Sequence, residues 1–234
     1  MRYGVVFLRS SRFRLRHVKI GNNVVKLSIP PGEEQVMDSE LKNIFYNDCY
    51  GLMQVDRVTE SVLDIGGNLG FFSMAARSRF PGARIHSYEP NPQIQHHLLH
   101  NTSGLSIDVF PEAIGACGGK INLKMHGGSL YSTTESSESG NIKRTAIANA
   151  IDRIGGSVDL LKLDCEGAEW ELFQHQEIWK HVNRLTMEYH LWANPEVGVP
   201  EMVKIVRDLG FRITQLSESK ELKWGILHAA RFRP

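Results

Sequence analysis

Residues 62–70, Val-Leu-Asp-Ile-Gly-Gly-Asn-Leu-Gly, decide the fold of this chain. The first four residues are typical of the end of a buried strand, and the glycines that follow interrupt the apolar run. Residues 71–79 are predicted to be helical, and a second predicted strand, residues 84–88, leads directly to Glu89. This order forms the first half of a nucleotide-binding βαβ unit. In such a unit the glycines admit a ligand close to the backbone, and the acid hydrogen-bonds ribose hydroxyls.

The composition is that of a near-neutral α/β protein. The chain has 234 residues, and 27 Lys and Arg against 26 Asp and Glu give a formal net charge of +1. We expect a single domain over residues 1–234, with a strand-and-helix extension at 1–58 and the core at 59–234. The charge balance favours neither nucleic acid nor an acidic membrane as a partner. Because no apolar run reaches the roughly 18 residues of a transmembrane helix, we expect a cytoplasmic protein.

One local exception to this balance is the beginning of the chain. Its first 20 residues contain basic side chains and no acid: Arg2, Arg9, Arg12, Arg14, Arg16 and Lys19. A basic arm that binds an anionic partner is one interpretation. The apolar residues between the arginines favour the other, a pair of short strands with solvated arginines.

Strands and helices alternate through the rest of the chain, which predicts a doubly wound, mostly parallel sheet. The last two predicted strands, 211–215 and 224–229, are joined by a polar turn and should pair antiparallel near the sheet edge. Residues 33–58 are predicted to be mostly helical. Residues 121–125 are predicted to form a further edge strand, and residues 126–141 the longest polar loop, which is typical of a lid or a binding loop.

Four polar residues fall at the ends of predicted parallel strands: Asp64, Glu89, Asp164 and His190. In an open parallel sheet, ligands bind outside the carboxyl ends of the strands, where the strand order reverses. We therefore expect these side chains to surround one crevice.

The glycine turn lacks the G-x-G-x-x-G pattern of dinucleotide-binding proteins, since the segment is Asp64-x-Gly66-x-Asn68-x-Gly70. An acid at the strand end would repel a pyrophosphate at the start of the following helix. It suits a ligand with a cation there, such as S-adenosylmethionine (SAM), which carries an ammonium and a sulfonium group but no phosphate. A nicotinamide cofactor is the weaker interpretation.

Four segments in order look like the FkbM family of SAM-dependent methyltransferases: residues 64–70, 88–92, 161–169 (Leu-Lys-Leu-Asp-Cys-Glu-Gly-Ala-Glu) and 187–190 (Met-Glu-Tyr-His). The resemblance implies a class I methyltransferase (Rossmann-like) fold, with a seven-stranded sheet whose last strand is antiparallel. It also implies O-methylation of a hydroxyl on a sugar or another small natural product.

The resemblance also implies the cofactor site. The glycine turn should bind the methionine end of SAM, Glu89 the ribose hydroxyls, and the residues after the next two strands the adenine. The implied cofactor-binding residues are Asp64, Gly66, Gly67, Asn68, Gly70, Phe71, Glu89, Pro90, Asn91, Glu112, Ala113 and Ile114.

We expect Asp164, Glu188 and His190 to lie beside the acceptor hydroxyl, because Glu188 and His190 share one side of their strand. In one version His190 is the general base, and Asp164 or Glu188 orients it. In the other, the three hold Mg²⁺, Ca²⁺ or Mn²⁺. One histidine and two acids are few ligands for such a cage, so the general base is favoured and a divalent cation is the less favoured alternative. A merely structural role for Glu188 and His190 is a third interpretation, and Glu169 is expected to be structural. Trp192, Tyr131 and residues 126–141 are candidate walls of the acceptor pocket.

Other functions are less well supported by the sequence. A nicotinamide-dependent oxidoreductase would require the missing glycine. A nucleic-acid methyltransferase would use the basic segment, but the chain lacks the N/D-P-P-Y/F signature of amino-methylating enzymes. We therefore expect a small-molecule hydroxyl acceptor and no nucleic acid or membrane partner. The oligomeric state stays open, with a homodimer as one alternative.

Overall fold

The computed structural model describes residues 17–125, 132–137, 139–219 and 223–231. Its strands are β1 His17–Ile20, β2 Asn23–Lys26, β3 Ser61–Ile65, β4 Arg84–Tyr88, β5 Ile107–Phe110, β6 Ala113–Gly115, β7 Gly119–Met125, β8 Ser132–Ser136, β9 Ile142–Ala146, β10 Leu160–Leu163, β11 Arg184–His190, β12 Arg212–Ser219 and β13 Trp224–Ala230. Its α-helices are α1 Glu34–Leu41, α2 Phe71–Arg79, α3 Gln95–Thr102, α4 Ile147–Ile154, α5 Glu169–Phe173 and α6 Val199–Asp208. Shorter helical turns are Lys42–Tyr46, Leu52–Gln54, Gln176–His181 and Leu191–Ala193.

The main sheet has seven strands in the order β12-β13-β11-β10-β3-β4-β5. Strand β13 is antiparallel to both of its neighbours, β11 and β12, and the pairs from β11 to β5 are parallel. This confirms the predicted fold class, including the antiparallel strand next to the C-terminal edge.

The strand order reverses between β3 and β10. From β3 the chain proceeds outward through β4 to β5, and it later returns to place β10 on the other side of β3. The pair is in register, with Ile65 opposite Leu163 at the carboxyl ends. The crevice expected of a doubly wound sheet therefore lies beyond these two residues.

The apolar residues of the central strands divide between two cores, one on each face of the sheet. Val62 and Leu160 belong to a core on one face with helix α2 and the N-terminal extension. The next residues, Leu63 and Leu161, belong to a core on the opposite face with helices α4, α5 and α6. This alternation follows from the two-residue period of strands.

A second sheet, in the order β6-β9-β7-β8, corrects two sequence predictions. Residues 121–125 belong to β7, which lies between β9 and β8 and is not an edge strand. Part of the predicted loop 126–141 is strand β8, while residues 126–131 and 138 lie outside the described residues. Its sequence, Ser-Thr-Thr-Glu-Ser, lacks the apolar alternation that identifies a half-buried strand. Strand β9 was also not predicted.

The N-terminal extension agrees with its prediction where it is described. Strands β1 and β2 form an antiparallel hairpin, and α1 with two short helical turns occupies much of residues 33–58. Of the basic N-terminal residues, Arg2 to Arg16 lie outside the described residues. Within the described part of the chain, no helix is long and apolar enough to cross a membrane.

Candidate active site

The glycine turn after β3 lies against the end of β10. Gly66 has a φ of +81°, and a Cβ on this residue would lie 1.7 Å from the backbone oxygen of Asp164. The backbone N–H of Asp164 donates to the oxygen of Ile65 at 3.1 Å. Only glycine fits this position, because both the backbone conformation and the space exclude a side chain.

The buried Lys162 forms ion pairs with acids at the ends of both β3 and β10. Lys162 Nζ lies 3.5 Å from Oδ1 of Asp64 and 3.4 Å from Oδ2 of Asp164. It also donates to the backbone oxygen of Gly66. Burial alone would lower the pKa of Lys162, but the charges of Asp164 and Asp64 outweigh it and raise the pKa. The lysine is therefore a fixed cation beneath the crevice.

Several predicted cofactor residues lie behind the turn and do not face the crevice. Asp64 is 0 % exposed and accepts a hydrogen bond from Ser73 Oγ at 2.6 Å. Gly67 lies so close to Ser87 that a Cβ would be 2.2 Å from Ser87 Oγ. Gly70 precedes helix α2, and Phe71 is buried in the core. We infer that these four positions support the turn; a direct contact with the cofactor stays a prediction that this geometry does not favour.

A first cavity, which we call the turn cavity, lies beside the glycine turn. Its volume is about 70 Å³. The predicted residues on its wall are Gly66, Asn68, Glu89, Pro90, Glu112, Ala113 and Ile114, together with Asp164. The structure thus brings most of the predicted cofactor set to one place.

Glu89 connects the turn to the loop after β4. Its Oε2 accepts the backbone N–H of Asn68 at 2.9 Å, and its Oε1 accepts that of Asn91 at 2.8 Å. Burial raises the pKa of Glu89 to about 7, against the effect of these two hydrogen bonds. An ionised carboxylate has about four acceptor positions, so Glu89 retains positions for a ligand. Asn91 is itself buried, and its side chain accepts the N–H of Gln93.

Glu112 closes another side of the turn cavity. Its carboxylate accepts hydrogen bonds from Thr145 Oγ1 at 2.6 Å, Lys143 Nζ at 2.9 Å and Arg153 Nη1 at 3.1 Å. Burial raises its pKa, but these three donors outweigh burial and leave the pKa of Glu112 lowered. The carboxylate therefore fastens β9 and α4 to the loop before β6 and supports the neighbouring Ala113 and Ile114.

A second cavity of about 540 Å³, which we call the outer cavity, lies between helix α1 and the ends of β10 and β11. Asn68, Asp164 and Glu166 line both cavities. Among the described residues, the Oδ1 atom of Asn68 is buried without a hydrogen-bond partner. An unpaired buried oxygen of this kind is costly unless a ligand supplies a donor.

His190 is held at the inner end of the outer cavity. Its Nδ1 lies 3.0 Å from Oε1 of Glu169, and its Nε2 lies 3.5 Å from Glu188 and 3.6 Å from Glu166. Burial lowers its pKa, but the hydrogen bonds with Glu169 and Glu188 outweigh burial and raise the pKa of His190 to about 11. The acid that holds Nδ1 is therefore Glu169, and not Asp164 or Glu188 as the sequence suggested.

Several carboxylates surround His190 in the outer cavity. Burial raises the pKa of Glu166 to about 7 and that of Glu40, on helix α1, to about 7. Burial and the charge of Asp164 also raise the pKa of Glu188. Asp164 accepts a hydrogen bond from the hydroxyl of Tyr50 at 3.0 Å. These raised pKa values indicate a region that is short of positive charge.

Ligand atoms of Asp164, Glu166 and His190 lie within 4.8 Å of one another, near enough to share one cation. The sequence predicts Glu188, and not Glu166, as the partner of Asp164 and His190. Hard cations in proteins usually take six or more oxygen ligands, so a cation here would need several waters or substrate oxygens.

Sequence reasoning missed several residues of this site: Glu40, Tyr50, Lys162 and Glu166. Lys162 did have a signal, since a lysine between two leucines of a buried strand requires a partner. Glu40 and Tyr50 had none, because they reach the site from the N-terminal extension. Trp192 lines the outer cavity as expected, whereas Tyr131 lies outside the described residues.

The sheet order and a cavity of acids at its switch point define the class of protein, a class I SAM-dependent methyltransferase. A family profile described as "Methyltransferase FkbM domain" matches residues 64–213, more than half of the chain. The chain belongs to the FkbM methyltransferase family, and the nicotinamide interpretation is set aside.

Two relatives in sequence and one solved structure are similar to this chain. Methyltransferase sdnD of Sordaria araneosa is 24% identical over 215 residues, which covers 74% of this chain and 82% of that protein. The 31-O-demethyl-FK506 methyltransferase FkbM of Streptomyces tacrolimicus is 21% identical, covering 84% of this chain and 88% of that protein. The crystal structure of magnesium protoporphyrin IX methyltransferase from Synechocystis PCC 6803, which contains SAM, matches with a TM-score of 0.51 at 14% identity, covering 88% of this chain and 86% of that one. The last comparison concerns the fold alone.

Proposed function

We propose that this enzyme transfers a methyl group from SAM to a hydroxyl of a sugar or another small natural product. The observation that carries the proposal is the meeting of the two cavities at Asn68, Asp164 and Glu166. At about 540 Å³ the outer cavity has the size typical of small-molecule sites, which is roughly 300–1,000 Å³. The name of one relative, 31-O-demethyl-FK506 methyltransferase, specifies O-methylation of FK506 and so supports a small-molecule hydroxyl acceptor.

The residues of the turn cavity fit SAM chemically. Glu89 offers acceptors for ribose hydroxyls, the unpaired Oδ1 of Asn68 offers one for an ammonium group, and Asp164 offers a negative charge. At about 70 Å³ the turn cavity by itself is smaller than typical ligand sites, and it adjoins the outer cavity at Asn68, Asp164 and Glu166.

The chain's own contribution to the reaction is alignment and proton removal. Bound SAM supplies an electrophilic methyl group on a sulfonium, which leaves as a neutral thioether. Asp164, Glu188 and His190 line the outer cavity, and an acceptor bound there would meet them on the side away from the sulfonium. Because the raised pKa keeps His190 protonated at neutral pH, a neighbouring carboxylate, Asp164 or Glu188, accepts the hydroxyl proton and His190 orients that carboxylate. Removal of this proton lowers the barrier to attack by the oxygen.

The experiment is methyl transfer from isotopically labelled SAM to hydroxylated small molecules in a metabolite extract, with mass spectrometry of the products. We expect labelled methyl ethers. Replacement of His190 by Gln should reduce turnover by roughly 100-fold or more and change SAM affinity little. Labelled nucleic acid, or labelled esters and amines without ethers, would contradict the proposal.

A second candidate is the same methyl transfer, in which a bound cation and not a base activates the acceptor hydroxyl. The closeness of Asp164, Glu166 and His190 favours a divalent cation that polarises the acceptor oxygen. Activity lost on treatment with a chelator and restored by Mg²⁺ would establish this version; activity unchanged by the chelator would exclude it.

A further inference from the structure

We propose that Glu169 is a positioning residue, which fixes the imidazole of His190 so that Nδ1 carries a proton and Nε2 faces the outer cavity. The inference rests on the proposed function, because it concerns how the acceptor side of that site works. It also assigns a role to a residue that the sequence analysis considered only structural.

Glu169 is buried, and hydrogen-bond donors of His190 meet its carboxylate. Its side chain is 0 % exposed. Oε1 accepts the backbone N–H of His190 at 3.0 Å and lies 3.0 Å from Nδ1 of the same residue. Because a carboxylate accepts hydrogen bonds and does not donate them, Nδ1 must carry a proton. The imidazole thus has one assigned nitrogen before any substrate binds.

The backbone of the loop after β10 also holds the carboxylate of Glu169 in place. Oε2 accepts the N–H of Gly167 at 2.9 Å and lies 3.5 Å from Sγ of Cys165. Gly167 has a φ of +102°, and a Cβ on it would lie 2.5 Å from Cβ of Ala193. The loop after β10 is therefore closed tightly against the turn after β11. Both carboxylate oxygens of Glu169 are therefore fixed in position, including Oε1, which accepts from His190.

The other ring nitrogen of His190, Nε2, lies beside the carboxylates of the outer cavity. Nε2 lies 3.6 Å from Glu166 and 3.5 Å from Glu188, and His190, Glu166 and Glu188 all line the outer cavity. The indole N–H of Trp170 donates to the backbone oxygen of His190 at 3.0 Å and fixes the main chain as well. His190 thus has a buried carboxylate at one ring nitrogen and a cavity at the other. Buried carboxylates commonly orient functional histidines in this way.

The test compares Glu169→Gln with the control Glu171→Gln. Glu171 lies in the same helix but pairs with Arg144 at 3.4 Å on a more exposed face. We expect Glu169→Gln to lower kcat by roughly 10- to 100-fold while the Kd of SAM changes less than about twofold, and Glu171→Gln to resemble the wild type. A proportional loss of SAM binding in Glu169→Gln would show a merely structural role and overturn the proposal, as would an unchanged kcat.

A second measurement does not depend on activity. Long-range ¹H–¹⁵N correlation spectra of the wild-type protein report which ring nitrogens of a histidine are protonated, and His190→Gln identifies the signal. We expect a protonated Nδ1 in the wild type, and we expect its signal to shift in Glu169→Gln while that of Nε2 moves less, because Nδ1 is the nitrogen that lies 3.0 Å from Glu169. An unprotonated Nδ1 overturns the proposal even if methyl transfer is confirmed, whereas a protonated Nδ1 without any methyl transfer would count against the proposed function alone.

Discussion

The backbone N–H of Asn68 donates to Oε2 of Glu89 at 2.9 Å and so ties the glycine turn after β3 to the end of β4. The carboxylate that we expect to bind the ribose therefore also holds the backbone that approaches the cofactor. Its other oxygen accepts the N–H of Asn91, so each oxygen is already fixed in direction. Cofactor affinity should therefore depend on Glu89 in two ways, through its own contact with the ribose and through the backbone that it holds.

Replacement of Glu89 by Gln should weaken SAM binding by roughly 10- to 100-fold. The change removes the negative charge and one acceptor, and a hydrogen bond to a charged group contributes about 1.5–3 kcal/mol. Calorimetric titration with SAM measures the effect. Glu60→Gln, an exposed change at the other end of β3, is the control and should bind like the wild type. Equal affinities for the two variants would contradict the ribose role.

SAM affinity should rise with pH through the neutral range. Burial raises the pKa of Glu89 to about 7, so the carboxyl is protonated below that value and ionised above it. Only the ionised form accepts from both backbone N–H groups and from ribose hydroxyls, so affinity should increase by severalfold between about pH 6 and about pH 8. Titrations across this range should show the increase in the wild type and lose it in Glu89→Gln. The same slope in both would assign the dependence to another group.

The position of the crevice could be predicted from the sequence, because strand ends are visible as apolar runs that stop at a polar residue. Glu89, Asp164 and His190 were located in this way, and the observed strand order brings their strands together. Which face a side chain occupies could not be predicted. Asp64 lies opposite Lys162 in the sheet register, and that pairing is known only once β3 and β10 are side by side.

The residues of the outer cavity show more clearly what could not be predicted from the sequence. Tyr50 donates to Asp164 across 114 positions of sequence, and helix α1 supplies Glu40 to the same cavity. Contacts at such separations leave no local periodicity in either segment. The four-stranded sheet was missed for a different reason: the sequence of β8 lacks apolar alternation.

Replacement of Lys162 by Met should cost about 3–5 kcal/mol of unfolding free energy. The change leaves Asp64 and Asp164 without their shared cation, and removing one partner of a buried ion pair has a cost of that order. Urea unfolding at neutral pH measures it. Lys180→Met is the matched control, since the pair of Lys180 with Glu177 is exposed and should contribute under about 1 kcal/mol. Similar losses in both variants would mean that Lys162 is not a structural cation.

Replacement of Glu112 by Gln should destabilise the protein at neutral pH and matter less in acid. The donors Thr145, Lys143 and Arg153 leave the pKa of Glu112 below its ordinary value of 4.5. A carboxyl whose pKa is lower in the folded state adds stability above its unfolded pKa, and this stability disappears as the pH falls through the folded pKa. We expect a loss of about 1–2 kcal/mol near pH 7 that shrinks toward zero below about pH 4. Urea unfolding of wild type and variant at both pH values tests this. A difference that does not change with pH would mean that the charge of Glu112 is unimportant and that only the shape of its side chain supports this side of the turn cavity.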